Sequence, residues 1–398
     1  MGSVAEGLVP PAHSESQLPP PPPEAAAHSR LLGELIASTI LDEGDWIPFS
    51  RFMELALYAP GLGYYAAGAR KFGAEGDFVT APEISPLFAQ CLALQAQQVL
   101  SLAGGAILEL GPGSGKLAAD VFQQLKSLGN APDRYLMLEV SPDLRERQQS
   151  LIAQRFPEDK ERFTWIDTLP EKITGFVIAN EVLDVVPFSL VQRRGGELYE
   201  QGVILTEAGF AWDDGPLPDG ELRRRALAAF PPGDYQYLSE VGLAAEALVR
   251  TLARALERGA AVFIDYGFPE REFYHPQRSM GTLRCHYRHR FHNDPFFMPG
   301  LQDITAHVDF TAMARAAESA GAEVLGFTTP AHFLISCGLA VLVSDKDPTA
   351  TLSRLKGTSA AYRLINPAEM GELFKVLGIG KGIDAPLLGF QSARPLQL

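Results

Sequence analysis

An acid and three glycines stand together in Ile107-Leu-Glu-Leu-Gly-Pro-Gly-Ser-Gly-Lys-Leu-Ala-Ala-Asp120, between an apolar run and a helical pattern. A Gly-rich turn at such a junction lets the backbone approach a nucleotide closely. Counting residues narrows the ligand. A Walker A loop needs Gly, four residues, then Gly-Lys-Ser/Thr; positions 110 and 117 are both Leu, so ATP fails at both ends. A dinucleotide fingerprint needs a third glycine three residues after Gly113, where Lys116 stands, and NAD is weakened too. A tight turn with no ligand is the plain alternative.

The spacing that fits is an acid at a strand end followed by GxGxG: Glu109, Gly111, Pro112, Gly113 and Gly115. This resembles the first motif of S-adenosylmethionine methyltransferases. That ligand has no phosphates, so bare backbone suits its adenosine and methionine portions, and the Glu109 carboxylate attracts its ammonium directly or through water. Glu139, followed by Val140, ends the next strand, where nucleoside binders of doubly wound folds place an acid against both ribose hydroxyls. Asp167, after the third strand, is placed to accept from the adenine amino group. Each acid has a solvated strand-end reading as well; three in succession argue more than one. After the fourth strand comes Asn180-Glu181-Val-Leu-Asp184, with acids at i and i+3 that share a side if the stretch is a helical turn. Asp77, Thr80 and Glu83 lie in an early Gly-rich loop expected to close over the cofactor, with turn chemistry as the alternative.

Elements that would position these residues follow from periodicity and punctuation. Residues 1–30, rich in Pro and Ala, read as a disordered tail without signal or transit character. Helical spacing covers 31–58, a loop 61–88, and a helix 85–102; together 31–103 form an N-terminal helical cap with the cofactor-covering loop. Strand and helix then alternate: strands at 106–110, 135–140, 163–166, 175–179 and 260–264, helices at 116–128, from Ser141-Pro142-Asp143 onward, and at 243–256. Such alternation predicts an α/β parallel sheet spanning 104–398, with β-rich and loop insertions at about 186–238 and 268–308. Helices are expected at 310–320, 331–339 and 367–377, and a strand at 322–328.

Composition excludes several classes. The 398 residues are 46% apolar and 21% charged, a globular composition able to bury a core. Lys plus Arg number 34 against 48 Asp plus Glu, a formal charge of −14, which argues against a nucleic-acid partner. No apolar run is long enough to span a membrane. Cys91, Cys285 and Cys337 are scattered and odd in number, which fits a reducing compartment, and the cytoplasm is expected. His286, His289 and His292 beside Cys285 suggest a metal, but interleaved Arg284, Arg288, Arg290, Tyr287 and Phe291 favour a peptide-contacting loop, and no metal is expected. Tyr266 and His307 are further candidates for substrate binding.

Several blocks in order are similar to the MidA-like, or mitochondrial complex I assembly factor, family of S-adenosylmethionine-dependent methyltransferases. The carriers are GYY at 63–65, GDFVTAPEIS at 76–85, ELGPGSG at 109–115, LEVS at 138–141, NEVLDVVPF at 180–188, DYG at 265–267, GTLRCHYRHRFHNDPF at 281–296 and DITAHVDF at 303–310. The resemblance runs from about residue 31 to the C-terminus. It implies a Rossmann-like class I methyltransferase fold, S-adenosyl-L-methionine as cofactor with S-adenosyl-L-homocysteine as product, and protein-arginine methylation. The partner it implies is a respiratory complex I subunit or its bacterial equivalent. Members often carry Arg where this chain has Ser114 and Gln where it has Pro330. An arginine acceptor stays charged and presents a planar fork of donors, so Glu181 and Asp184, with Asn180, are expected to orient it for in-line methyl transfer. A small-molecule methyltransferase, a non-catalytic assembly chaperone that binds the cofactor, and a homodimer stay open.

Overall fold

Period-two alternation in the buried strands sets the architecture around the Gly-rich turn. The computed structural model describes residues 18–67, 81–344, 359–366 and 373–391, and they fall into two compact units. The α/β unit draws on Val79–Val186, Ala244–Phe273 and His307–Leu398. Its central strand, Ile173–Asn180, sends Phe176 and Ile178 into one apolar cluster and Val177 and Ala179 into another. The same split separates Ile107 from Leu108 and Leu110. A sheet apolar on both faces needs helices on both. Helices α1 (Pro86–Ala103), α2 (Lys116–Ser127) and α3 (Pro142–Arg155) feed the first cluster; α4 (Leu243–Ala255) and α5 (Phe310–Ser319) feed the second.

The strands of this unit are β1 (Ala106–Leu110), β2 (Tyr135–Leu138), β3 (Phe163–Ile166), β4 (Ile173–Asn180), β5 (Leu256–Phe268), β6 (Val308–Asp309), β7 (Glu323–Thr328) and β8 (Phe374–Lys381). Their order is β7-β8-β5-β4-β1-β2-β3, with β6 pairing β5. Neighbours from β3 to β5 are parallel, and β8 runs antiparallel between β5 and β7. This is the expected Rossmann-like doubly wound sheet. Strand order reverses between β1 and β4, the switch point where such sheets bind ligands beyond the carboxyl ends of their strands. Register aligns those ends: Leu110 faces Leu138 and Ala179, and Leu138 faces Ile166.

The second unit draws on the described parts of Met1–Phe78, Pro187–Leu243 and Tyr274–Ala306. It holds a five-stranded antiparallel sheet of Ile47–Pro48, Ser189–Arg194, Glu197–Thr206, Gly209–Pro216 and Tyr237–Val241. A three-stranded sheet joins Arg284–Tyr287, Arg290–His292 and Asp303–Thr305. Buried Glu240 accepts the backbone N–H groups of Thr282 (2.6 Å) and Leu283 (2.8 Å), tying the segment before the second sheet to the first.

Several elements differ from the sequence reading. A helix, Pro23–Asp42, begins inside the 1–30 stretch expected to be a disordered tail, because a proline at the first helical position precedes the strong helix formers Glu24-Ala-Ala-Ala27. It does not continue to residue 58: Gly44 and Asp45 take positive φ, and extended Ile47–Pro48 separates it from the helix Phe49–Tyr58. Helix α1, expected with the N-terminal cap, belongs to the α/β unit, where Leu87 to Val99 enter its core. A short helix, Ala81–Ile84, interrupts the loop expected over 61–88. The expected helix 331–339 is two, Pro330–Ser336 and Leu339–Ser344. Of the helix expected at 367–377, residues 374–377 lie in strand β8 and 367–372 lie outside the described residues. No helix among the described residues is long and apolar enough to cross a membrane.

Candidate active site

Glycine chemistry shapes the turn after β1. Gly111, Gly113 and Gly115 all take left-handed φ, at 58°, 55° and 78°, a conformation other L-residues adopt at a cost. Space is short as well: a Cβ on Gly115 would lie 3.0 Å from Gln148 Cγ, and one on Gly111 would lie 3.2 Å from Val182. Lys116, which a Walker loop would aim at phosphate, instead donates to the Pro82 carbonyl (2.8 Å) and pairs with Asp120 (2.7 Å). Ser114 Oγ donates to Glu83 Oε1 at 2.5 Å, so the structure brings Glu83 to the glycine turn. Asp77 and Thr80 lie outside the described residues.

Glu109 sits beneath the turn, 2% exposed. Burial pushes its carboxyl up to about 7; the Tyr135 hydroxyl, donating to Oε2 at 2.5 Å, opposes that shift, and the charge of Glu139 adds to it. Glu139, one residue past β2, is buried, with Oε1 on the Ser141 N–H and Oε2 on Gln148 Nε2, both at 2.8 Å. Val140 beside it is 63% exposed. Asp167 stands after β3 in solvent, its side chain 82% exposed and paired with Arg145 at 2.5 Å. Arg145 also donates to the Glu139 carbonyl at 2.9 Å, which links the ends of β2 and β3.

The chemistry of these residues is compatible with S-adenosylmethionine: the turn offers backbone without side chains, Glu139 and Glu109 are acids that would accept from a diol and attract a cationic group, and Val140 is an exposed apolar side chain. The lysine that phosphate would require is engaged elsewhere.

Beyond β4 the chain carries the second set. Asn180 ends the strand, with Nδ2 donating to Glu181 Oε1 at 3.1 Å and Oδ1 buried without a hydrogen-bond partner among the described residues. Glu181 takes φ 54° and donates its N–H to the Ile264 carbonyl at 2.8 Å. The stretch is not a helical turn, so the condition under which i, i+3 spacing would put Glu181 and Asp184 on one side is not met. Asp265, near the end of β5, organises it instead: Oδ2 accepts the N–H groups of Val182 (3.1 Å), Leu183 (2.8 Å) and Asp184 (3.3 Å). Burial raises the Asp265 carboxyl to about 7, held back by those N–H groups and that of Tyr266.

Tyr266 joins this group. Burial first, then the charges of Glu181, Asp184 and Asp265, drive its phenol far above the usual range. Its ring packs on Phe374 (3.7 Å between centroids) and stacks parallel to His307 at 6.2 Å. The other two expected substrate residues belong to the β-rich unit. His286 lies in the strand Arg284–Tyr287, where burial, with His292 and Arg284, lowers its imidazole to about 4. His289 occupies the following turn at φ 60°. No cluster of His, Cys, Asp or Glu among the described residues could hold a metal.

Sequence reasoning missed Tyr135, Gln148 and the role of Asp265. One signal was present: Leu144, Gln148 and Ile152 make the buried stripe of α3, and a polar residue at its centre demands partners.

Comparisons with known proteins bear on the family and the fold. The family model described as "Putative S-adenosyl-L-methionine-dependent methyltransferase" matches residues 88–328. A crystal structure of a candidate methyl transferase from Burkholderia thailandensis, bound to S-adenosyl-homocysteine, is 46% identical with a TM-score of 0.90, covering 94% of this chain and 98% of that one. Among curated proteins, "Protein arginine methyltransferase NDUFAF7 homolog, mitochondrial" of Drosophila melanogaster is 30% identical over 92% of this chain and 89% of its own. "Protein arginine methyltransferase NDUFAF7, mitochondrial" of Danio rerio is 31% identical over 86% and 85%.

Proposed function

The chain belongs to this family of S-adenosylmethionine-dependent methyltransferases, and we propose that the group it methylates is an arginine side chain of a partner protein. The observation that carries the reading is a set of acceptors gathered after β4: the Glu181 and Asp184 carboxylates and the buried Asn180 Oδ1, which has no hydrogen-bond partner among the described residues, with the Tyr266 ring beside the two acids. A guanidinium is the side chain that offers donors to all of these and a flat face to an aromatic ring. The names of the Drosophila melanogaster and Danio rerio relatives support the same reading. Following the family resemblance, a respiratory complex I subunit or its bacterial equivalent is the first acceptor to test. A cytoplasmic setting is part of the proposal, supported by three buried free cysteines.

The cofactor, when bound, supplies an electrophilic methyl group on a sulfonium. The chain's own residues position and neutralise. Glu181 and Asp184 hold the guanidinium by charge-assisted bonds and spread its positive charge, while Asn180 Oδ1 takes a further N–H and fixes its rotation. Asp265 keeps the backbone of 182–184 in place as this happens. The nitrogen that gains the methyl group sheds a proton, and a carboxylate oxygen of Glu181 or Asp184 receives it.

The test is to incubate the protein with labelled S-adenosylmethionine and host lysate and to map the label by mass spectrometry. Methylarginine in a protein is the expected product. Label confined to lysine or to small molecules would remove the arginine reading while leaving the cofactor site intact.

A further inference from the structure

Gln148 is completely buried, and its amide is fully used. Nε2 donates one hydrogen to the Gly113 carbonyl at 2.7 Å and the other to Glu139 Oε2 at 2.8 Å, while Oε1 accepts from the Trp165 indole N–H at 2.8 Å. One side chain from α3 therefore touches the glycine turn after β1, the acid after β2 and an indole of β3. The packing agrees, because a Cβ on Gly115 would crowd Gln148 Cγ at 3.0 Å. The indole also selects the sense of the amide: turned over, Oε1 would face a carbonyl and a carboxylate, and two N–H donors would meet at Trp165.

We propose that Gln148 is a positioning residue for the cofactor, locking the Glu139 carboxylate to the Gly113 carbonyl so that acid and turn form one rigid nucleoside site, with Trp165 fixing the amide. The inference rests on the reading of Glu139 as the acid that meets the ribose. Neither Gln148 nor Trp165 need touch the ligand. The lock places a carboxylate and a carbonyl, both acceptors, against one NH₂ group, an arrangement that only a two-hydrogen donor satisfies.

A Gln148→Glu substitution keeps the shape and removes that donor pair. Two carboxylates would then face each other about 3 Å apart and share one proton when acidic. At low pH the protonated acid still donates to Glu139; at high pH the two repel and the site opens. The experiment measures S-adenosylhomocysteine affinity by calorimetry on the full chain from pH 6 to 9, for wild type, Glu139→Ala, Gln148→Glu, Gln148→Leu and Trp165→Phe. Gln148→Leu should weaken binding by about 10-fold or more, and Trp165→Phe by less. Relative to wild type, the loss in Gln148→Glu should grow by about 10-fold from pH 6 to 9. A merely structural glutamine would lower the melting temperature and leave that ratio flat with pH, and a flat ratio would overturn the proposal. If Gln148→Leu does not fold, the Gln148→Glu series alone decides. Wild-type affinity in Glu139→Ala would instead remove the ribose reading beneath it; weakened Glu139→Ala beside unaffected Gln148 variants would remove the lock alone.

Discussion

Burial makes Glu109 sensitive to pH near neutrality, and the sign can be worked out. Its carboxyl is raised from 4.5 to about 7, so the folded chain keeps that proton where the unfolded chain has lost it. The resulting stability is fully present below about 4.5 and is lost as pH rises through about 7; Asp265, also raised to about 7, adds a term of the same sign. Glu109→Gln should flatten part of that slope in thermal melts of the ligand-free protein. A cationic ligand favours the ionised acid, so S-adenosylmethionine affinity should rise through pH 7 in wild type and stay flat in Glu109→Gln; equal slopes would remove Glu109 from the site. Glu181 offers a different test, since its φ of 54° is strained for a residue with a side chain. Glu181→Gly should gain about 1 kcal/mol of stability, and both it and Glu181→Gln should lose turnover by about 100-fold or more with cofactor affinity retained; an active Glu181→Gln enzyme would end the proposed role. The strand-end positions of the glycine turn and Glu139 were legible because the pattern that marks them is local. Tyr135, Gln148 and Asp265 were not, since they meet Glu109, the Gly113 carbonyl and the Val182 N–H across 26, 35 and 83 residues, and no periodicity records such pairings.

At the scale of elements, the turn after β4 is held by the end of β5 rather than by helical hydrogen bonds, so i, i+3 spacing does not decide how Glu181 and Asp184 face each other. Spacing on a helix is a rule about one element, whereas here the neighbouring strand supplies the acceptor for three successive N–H groups. Asp265→Ala strands those groups, at about 1–3 kcal/mol for a buried donor left unmade. The prediction is a fall in turnover of about 10–100-fold with S-adenosylhomocysteine affinity within about threefold of wild type, read by paired kinetics and calorimetry. Asp265→Asn, which keeps one acceptor oxygen, should fall between; a wild-type rate in Asp265→Ala would refute the pinning role. Strand β8 shows the same limit of local reading. Phe374 to Lys381, with Lys375 and two glycines among Phe, Val, Leu and Ile, is a short stretch buried on both faces, and so short a stretch looks alike as helix or strand. Its ladder partners, β5 and β7, decide the matter, and they lie far away in sequence.

At the scale of the whole chain, order in sequence conceals membership. The β-rich unit is assembled from three separated segments, and α1 follows the N-terminal stretch in sequence yet joins the α/β core through Leu87, Leu92 and Val99. Packing, not sequence order, assigned that helix. Charge needs no fold to be read, and it bears directly on the acceptor. With 48 acidic against 34 basic residues, the formal charge of −14 repels nucleic acid and attracts a basic peptide. If the acceptor is an arginine in a cationic segment, part of its encounter rate comes from this field, which salt screens over about 10 Å at 0.1 M. Methylation at sub-saturating peptide should therefore slow by about 5–10-fold between roughly 0.02 and 0.5 M salt when lysines flank the arginine. A peptide with neutral flanks should change far less, and S-adenosylhomocysteine affinity, set by bonds inside the site, should hold nearly constant in the same series. Equal salt dependence for both peptides would assign acceptor recognition to the Glu181 and Asp184 pocket alone, with no part for the acidic surface.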